Sequence, residues 1–267
     1  MDIERLRKII AYNDEHQEGM AAHVKSFYSY AGMSLDQDVL NLMQIARPAF
    51  QKKGYLVLEL VLADEEIGAL CYKGDSLGYI VLNTSLPKVN VNFAICHELY
   101  HVFFQQHNLG SKVEFANEDY GGHEEELAAN LFAGMLLMPE NGFRRMYFKF
   151  REESGHHPLD TIVRLMNYYQ APYMSVLIRC YALKLPEKED FLPQLLNIKP
   201  DDVRARFVDL WLDESILDAA KKDDYGHLEE LVRSCGRECI EDACLNERTL
   251  KKVLQNMAAL YDEIKGG

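Results

Sequence analysis

The run AICHELYHVFFQQHNLG, residues 94–110, carries His97, Glu98 and His101 in the order H-E-x-x-H, with His107 six positions beyond His101. Residues four apart on an α-helix are offset by ~40° and rise ~6 Å along the axis. The two imidazoles would therefore leave one face and meet a single divalent ion at Zn–N distances near ~2.0–2.1 Å. Glu98 is turned ~100° from His97, out of easy ligating reach but beside a water in the ion's open position. Zinc lowers the pKa of such a water to ~7, and a neighbouring carboxylate can take its proton as the water attacks a carbonyl. The pattern thus points to metal-dependent hydrolysis with Glu98 as catalytic base. A pair of packed core histidines is the bland alternative.

A third ligand decides between them. His107 lies ten residues after His97, where the extended motif H-E-x-x-H-x-x-G-x-x-H has its last histidine. In that motif a glycine lets the helix break; here the position is Phe104. On a continuing helix His107 would point ~240° away from His101, and a break at Asn108-Leu109-Gly110 would come too late. His107 is read instead as a helix-end residue facing the C-terminal dipole. The stronger candidate is in ELAAN, where Glu126 and Asn130 are four apart and share a face. This is the glutamate-zincin arrangement E-x-x-x-D/N. Its glutamate ligates the metal, and its second residue accepts a hydrogen bond from the free nitrogen of a metal-bound histidine. Glu124 and Glu125 are expected simply to favour the helix N-terminus; only Glu126 has the partner four residues on.

These residues need two helices pointing at one place. Residues 91–103 have Val91, Ala94, Ile95, Leu99, Val102 and Phe103 at a period near 3.6, and 124–139 have Leu127, Leu131, Met135 and Leu136, stopping at Pro139. The small Ala128 and Ala129 would permit close approach. Upstream, residues 1–53 look helical, with LDQDVLNLMQIARPAF capped by Ser34; YLVLELVL (55–62) favours a strand, and ALCYKGDSLGYIVLN (69–83) reads as two strands about a turn. Residues 107–123 read as a loop, and a helix pair follows at about 158–170 and 172–184. LPEKEDFLP (185–193) marks a boundary: residues 1–186 form one domain including that helix pair, and 187–267 a helical, acidic C-terminal domain whose Trp211 is expected in its core.

With the residues laid out, HELYH, a gap of about 25 residues and EEELAANLFAGMLLMP resemble the ImmA/IrrE metallopeptidases, whose pattern is HExxH followed by ExxAN-x-FA-x-x-LLMP. GALCYKGDSLGYIVLNTSLP and APYMSVLIRCYALKL also look like that family, so the resemblance spans roughly residues 20–186. It implies an α+β, zincin-like fold with a small β-sheet and active-site helices, followed here by an all-helical domain. It further implies zinc ligation by His97, His101 and Glu126, with Glu98 as catalytic base and Asn130 supporting a ligand. Two departures are visible: Tyr100 replaces a small glycine and would narrow the cleft, and Asn130 is uncharged where relatives often have Asp. Relatives commonly cleave a partner repressor of the helix-turn-helix class, which implies a protein substrate here. The strand near 79–83 is the expected edge for an extended substrate. Tyr120, His123, Tyr147, His156 and His157 are candidates for stabilising the oxyanion.

The 267 residues, 48% hydrophobic and 27% charged, have the composition of a globular protein. A formal net charge of −13 argues against a surface that coats nucleic acid, and suits attraction to a basic, DNA-binding partner. MDIERLRKII lacks an apolar signal-peptide core and no stretch is long enough to span a bilayer, so a cytoplasmic location with reduced thiols is expected. Cys235 and Cys239 share a helix face, leaving a metal or redox role open, although buried thiols are the simpler reading. The expected activity is zinc-dependent endopeptidase. Its rivals are a zinc-scaffold protein that sequesters a repressor without cutting it, and a DNA-binding regulator using LDTIVRLMNYYQAPYMSVLIRC, whose second helix has Arg179 but few other basic residues.

Overall fold

Along residues 3–31 the inward positions recur at helical intervals, and the chain forms α1 (Ile3–Ala31), burying Leu6, Asn13, Met20, Val24 and Phe27 in one stripe. The structure is a computed structural model and describes residues 3–34, 41–74, 77–105, 114–115, 124–185 and 192–266. The second helix, α2 (Leu42–Lys52), has Asn41 at its N-cap rather than Ser34; the stretch between them, 35–40, lies outside the described residues.

Four strands follow: β1 (Tyr55–Leu60), β2 (Ala69–Lys73), β3 (Gly78–Asn83) and the two-residue β4 (Glu114–Phe115), in the order β1-β3-β2-β4. β2 and β3 form the expected antiparallel pair, while β1 runs parallel to β3 and sets Tyr55 opposite Gly78. A Cβ at position 78 would stand 2.4 Å from the Tyr55 ring, so this register requires glycine. Residues 79–83, expected to be the substrate-binding edge, are instead β3, hydrogen-bonded on both sides. With its ladder groups already used, β3 has none to offer an extended chain. Within 107–123, read wholly as loop, β4 pairs with β2 at Leu70 and Cys71.

One face of the sheet turns Tyr55, Val57, Cys71, Ile80 and Leu82 into the main core. There it meets α3 (Lys88–Phe104) and the helices around it: α4 (Glu124–Leu137), α5 (Glu140–Glu153), α6 (Pro158–Tyr169) and α7 (Tyr173–Ala182). Sequence periodicity missed α5, whose mean hydropathy is low because its buried Phe143, Met146 and Tyr147 alternate with charges. The opposite face carries Leu58, Leu60, Leu70 and Val81, and these pack with Tyr225 and Ile264 of the C-terminal helices. Those helices are α8 (Leu192–Leu196), α9 (Pro200–Asp209), a 3-10 turn at Glu214–Leu217, α10 (Tyr225–Glu241) and α11 (Glu247–Gly266).

Most of the expected boundary, residues 186–191, lies outside the described residues. Beyond it, Leu195, Val203, Phe207 and Ile216 join the same core as α3 and α4. Arg206 holds Asp160 of α6 through two contacts of 2.7 and 2.8 Å. The segment after the 3-10 turn is stitched to the sheet: Lys221 N donates to Thr84 O, Asp224 N to Glu59 O, and Glu59 N to Asp224 Oδ2. Trp211 is not core but 95% exposed. α9 ends at Asp209 and Trp211 takes a left-handed φ of 55°, which swings it out of the stripe set by Val203 and Phe207. Among the described residues no helix is long and apolar enough to cross a membrane.

Asn83, fully buried, holds together the end of β3 and the loop at 62–67. Its Oδ1 accepts from Leu62 N and Ser85 N, and its Nδ2 donates to Asp64 O and Ile67 O. Asn83→Ala would leave these buried groups without partners and should cost about 3 kcal/mol. The check is the urea midpoint; one unchanged from wild type would show that the network contributes nothing.

Candidate metal centre

Two short-range patterns bring three side chains together. α4 begins with Glu124, Glu125 and Glu126, which complement the helix N-terminus, and then presents buried Ala128, Ala129 and Ala133, which let it lie close against α3. Glu126 thereby reaches the face that carries His97 and His101. His97 Nε2 is 3.0 Å from Glu126 Oε2, His101 Nε2 is 3.5 Å from Glu126 Oε1, and the two Nε2 atoms are 3.0 Å apart. Both imidazoles are buried, at 5% and 4% exposure.

The opposite ring nitrogens determine what those Nε2 atoms can be. His97 Nδ1 lies 3.0 Å from Asn130 Oδ1, and His101 Nδ1 lies 2.6 Å from Gln105 Oε1. An amide oxygen only accepts, so each Nδ1 carries the proton and each Nε2 presents a lone pair. The Gln105 amide is oriented in turn by its Nε2, which donates to Glu125 Oε2 at 2.7 Å. Two lone pairs and a carboxylate thus face one another in a largely buried space. Their mutual repulsion calls for a cation among them. A tetrahedral site with bonds of ~2.0–2.1 Å has donor edges of about 3.4 Å; the 3.0 Å between the two Nε2 atoms and their distances of 3.0 and 3.5 Å to the two separate Glu126 oxygens lie near that spacing. Among the described residues this is the group of histidine, cysteine or acidic side chains able to hold a metal ion.

Protonation shows the same demand for positive charge. Burial opposes charging of His97, but a second proton on Nε2 could be donated to Glu126, and this, with Glu98 and Asn130 nearby, outweighs burial and raises its pKa. Burial, then the charge on His97, lowers that of His101. Glu98 is 3% exposed. Its charge acts on His97 and on the Tyr55 phenol, whose pKa is pushed up to about 12 by burial first, then Cys71 and Glu98.

A cavity of about 590 Å³ opens beside this centre. His97, Glu126 and Asn130 form part of its wall; Phe93, Leu131 and Met135 give that wall an apolar stretch, and Arg5, Glu65 and Glu66 a charged one. Tyr100 does not line it. Its ring lies 5.8 Å from Phe132 and 6.0 Å from His23 and from Phe104, in a cluster joining α1, α3 and α4. This cluster is why position 104 is aromatic: Phe104 stacks on His23 at 4.5 Å. α3 ends at Phe104 with Gln105 extended at its C-cap, sooner than expected, and that bend is what returns the Gln105 side chain to His101. Gln105 was missed, although its spacing of four from His101 was a visible signal.

His107, Tyr120 and His123 lie outside the described residues. Tyr147 is buried on α5, His156 is exposed at a left-handed φ of 65°, and His157 caps α6 by accepting from Asp160 N; none of the three lines the cavity. Arg179 is buried in α7 and donates through Nε to the Met138 carbonyl.

Two outcomes follow. Asn130→Ala removes the acceptor that fixes the His97 tautomer and should weaken Zn²⁺ affinity by about 10–100-fold, measured by competition with a chromogenic chelator; unchanged affinity would refute the orienting role. Protons compete for the His97 lone pair, and its pKa lies above the usual 6.5. Zn²⁺ affinity should therefore be full above that raised pKa and fall as pH drops through it. Calorimetric titration across pH would show a flat profile if His97 were not involved.

No curated protein matches this chain. A family model described as IrrE N-terminal-like domain (Peptidase_M78) matches residues 50–181, from the last turn of α2 to the last turn of α7. His97, Glu98, His101, Glu126 and Asn130 all fall within the match. Residues 50–181 accordingly carry the match to the IrrE N-terminal-like domain, over the stretch where HELYH and EEELAANLFAGMLLMP resemble the ImmA/IrrE peptidases.

Proposed function

We propose that this protein is a zinc-dependent endopeptidase whose substrate is a partner repressor of the helix-turn-helix class. The observation that carries the reading is the convergence of His97 Nε2, His101 Nε2 and a Glu126 oxygen in a buried space, with Glu98 one residue away, inside a peptidase-family domain. His97, His101 and Glu126 hold the ion. Zinc suits them because it takes two imidazoles and a carboxylate in a tetrahedral site with one position open. When bound, it supplies Lewis acidity at the scissile carbonyl.

The remaining work belongs to the protein. Glu98 takes a proton from the attacking water and returns it to the leaving amine, so the base that starts the reaction is the acid that ends it. Asn130 and Gln105 hold the two rings in the tautomer that keeps each Nε2 unprotonated. Phe93, Leu131 and Met135 give the adjoining cavity an apolar wall that limits water near the reacting bond. A net charge of −13 draws in a basic, DNA-binding substrate. A cytoplasmic location follows from such a partner.

Glu98→Gln keeps the shape of the side chain but cannot accept the proton. Incubation with the partner repressor should give fragments with wild type, and a rate about 10²–10⁴-fold lower with Glu98→Gln at equal zinc content. If the variant relieved repression as well as wild type with no fragments formed, sequestration would replace proteolysis as the function.

A further inference from the structure

The six cysteines form two sets. Cys71, Cys96 and Cys180 are buried, and burial pushes the thiols of Cys96 and Cys180 up. Such thiols are inert. Cys235, Cys239 and Cys244 lie at the far end of α10, with Cys235 and Cys244 exposed and Cys239 half-buried.

The end of α10 explains how two of them meet. Cys244 N donates to Cys239 O at 2.9 Å, Ala243 N donates to Ile240 O at 3.0 Å, and Ala243 adopts a left-handed φ of 58°. These are the marks of a Schellman cap, with Cys239 three positions before the cap residue and Cys244 two positions after it. That motif brings the side chains at those two positions into contact, ordinarily as an apolar pair. Here both are thiols. The Cys244 thiol also donates to the Cys239 carbonyl at 3.1 Å, which holds its sulfur over the last turn of α10. A hydrogen bond with Cys244, then its charge, raises the Cys239 pKa. The backbone bond that closes the cap draws the two Cα atoms toward the ~4.4–6.8 Å that a disulfide spans.

We propose that Cys239 and Cys244 form a reversible oxidation site, which hydrogen peroxide converts into a disulfide closing the C-terminal cap of α10. Cys244, the more exposed, attacks a peroxide oxygen as its thiolate. The O–O bond breaks, one oxygen stays on sulfur as a sulfenic acid, and the other leaves with the thiol proton as water. Cys239 then attacks that sulfur: the S–S bond forms, the S–O bond breaks, and a second water leaves. Two electrons pass from the thiol pair to the peroxide, and a small dithiol restores the starting state.

The bond would act at the end of a closely packed helical hairpin. Gly236 of α10 faces Leu250 of α11 so closely that a Cβ there would stand 2.3 Å from a Leu250 methyl. Ala243 takes up a backbone conformation that favours glycine. A covalent link across it fixes the turn from which α11 departs.

The test treats the full chain with hydrogen peroxide and reads intact mass, free thiols after denaturation, and peptide maps. Wild type should lose the mass of two hydrogen atoms, its free thiols falling from six to four. The map should link Cys239 to Cys244, and dithiothreitol should reverse the change. Cys244→Ser, near in shape, should abolish the change while helicity is retained, and Cys235→Ser should leave it intact. Six thiols surviving treatment, or a map that joins Cys235 to Cys239 or to a second chain, would overturn the proposal.

Discussion

Three electron-rich groups facing one another in a largely buried space are the constraint on which the site depends. Left alone, two imidazole lone pairs and a carboxylate repel each other, and burial removes the solvent that would screen them. The arrangement persists only because each ring is held from behind, His97 by Asn130 and His101 by Gln105. Holding the rings requires α4 to lie against α3, which requires small side chains at 128, 129 and 133. The aromatic cluster of His23, Tyr100, Phe104 and Phe132 then ties α1 to the same pair. The core around the site is thus arranged to keep a strained electrostatic pocket from relaxing.

Much of this was legible in the sequence because a helix repeats at a fixed interval. H-E-x-x-H put two rings on one face, and E-x-x-x-N put a carboxylate and an amide on another, without any knowledge of how the helices meet. What could not be read depended on where elements stop or how they are ordered. Gln105 supports His101 because α3 bends at its C-cap, and no spacing rule says where that bend falls. β3 was expected at an edge, but the order of strands along the chain is not their order in space: β1 pairs in parallel with β3 and encloses it. Trp211 has the spacing of a core residue four after Phe207, yet the helix ends between them and one left-handed residue reverses the side chain's direction.

The sheet shows why the C-terminal helices were hard to read from composition. They look acidic and self-contained, but Tyr225 and Ile264 cover a face of the sheet that would otherwise leave Leu60 and Val81 in water. A patch of alternating apolar residues in β1 and β3 is a request for a second layer, and the pattern does not name the segment that supplies it.

The start of α3 has a consequence for how such a chain can change through descent. The backbone N–H of Lys88, one of the helix's unsatisfied first donors, is taken up by the carbonyl of Asp218, and Pro87 bridges to Ala219. The family match ends at residue 181. The helix bearing both imidazoles is therefore seated at its first turn by residues from outside the matched segment. Any exchange of the C-terminal segment must therefore keep a stretch of backbone at 218–219 able to fill that seat, together with the Tyr225 and Ile264 side chains that cover the sheet.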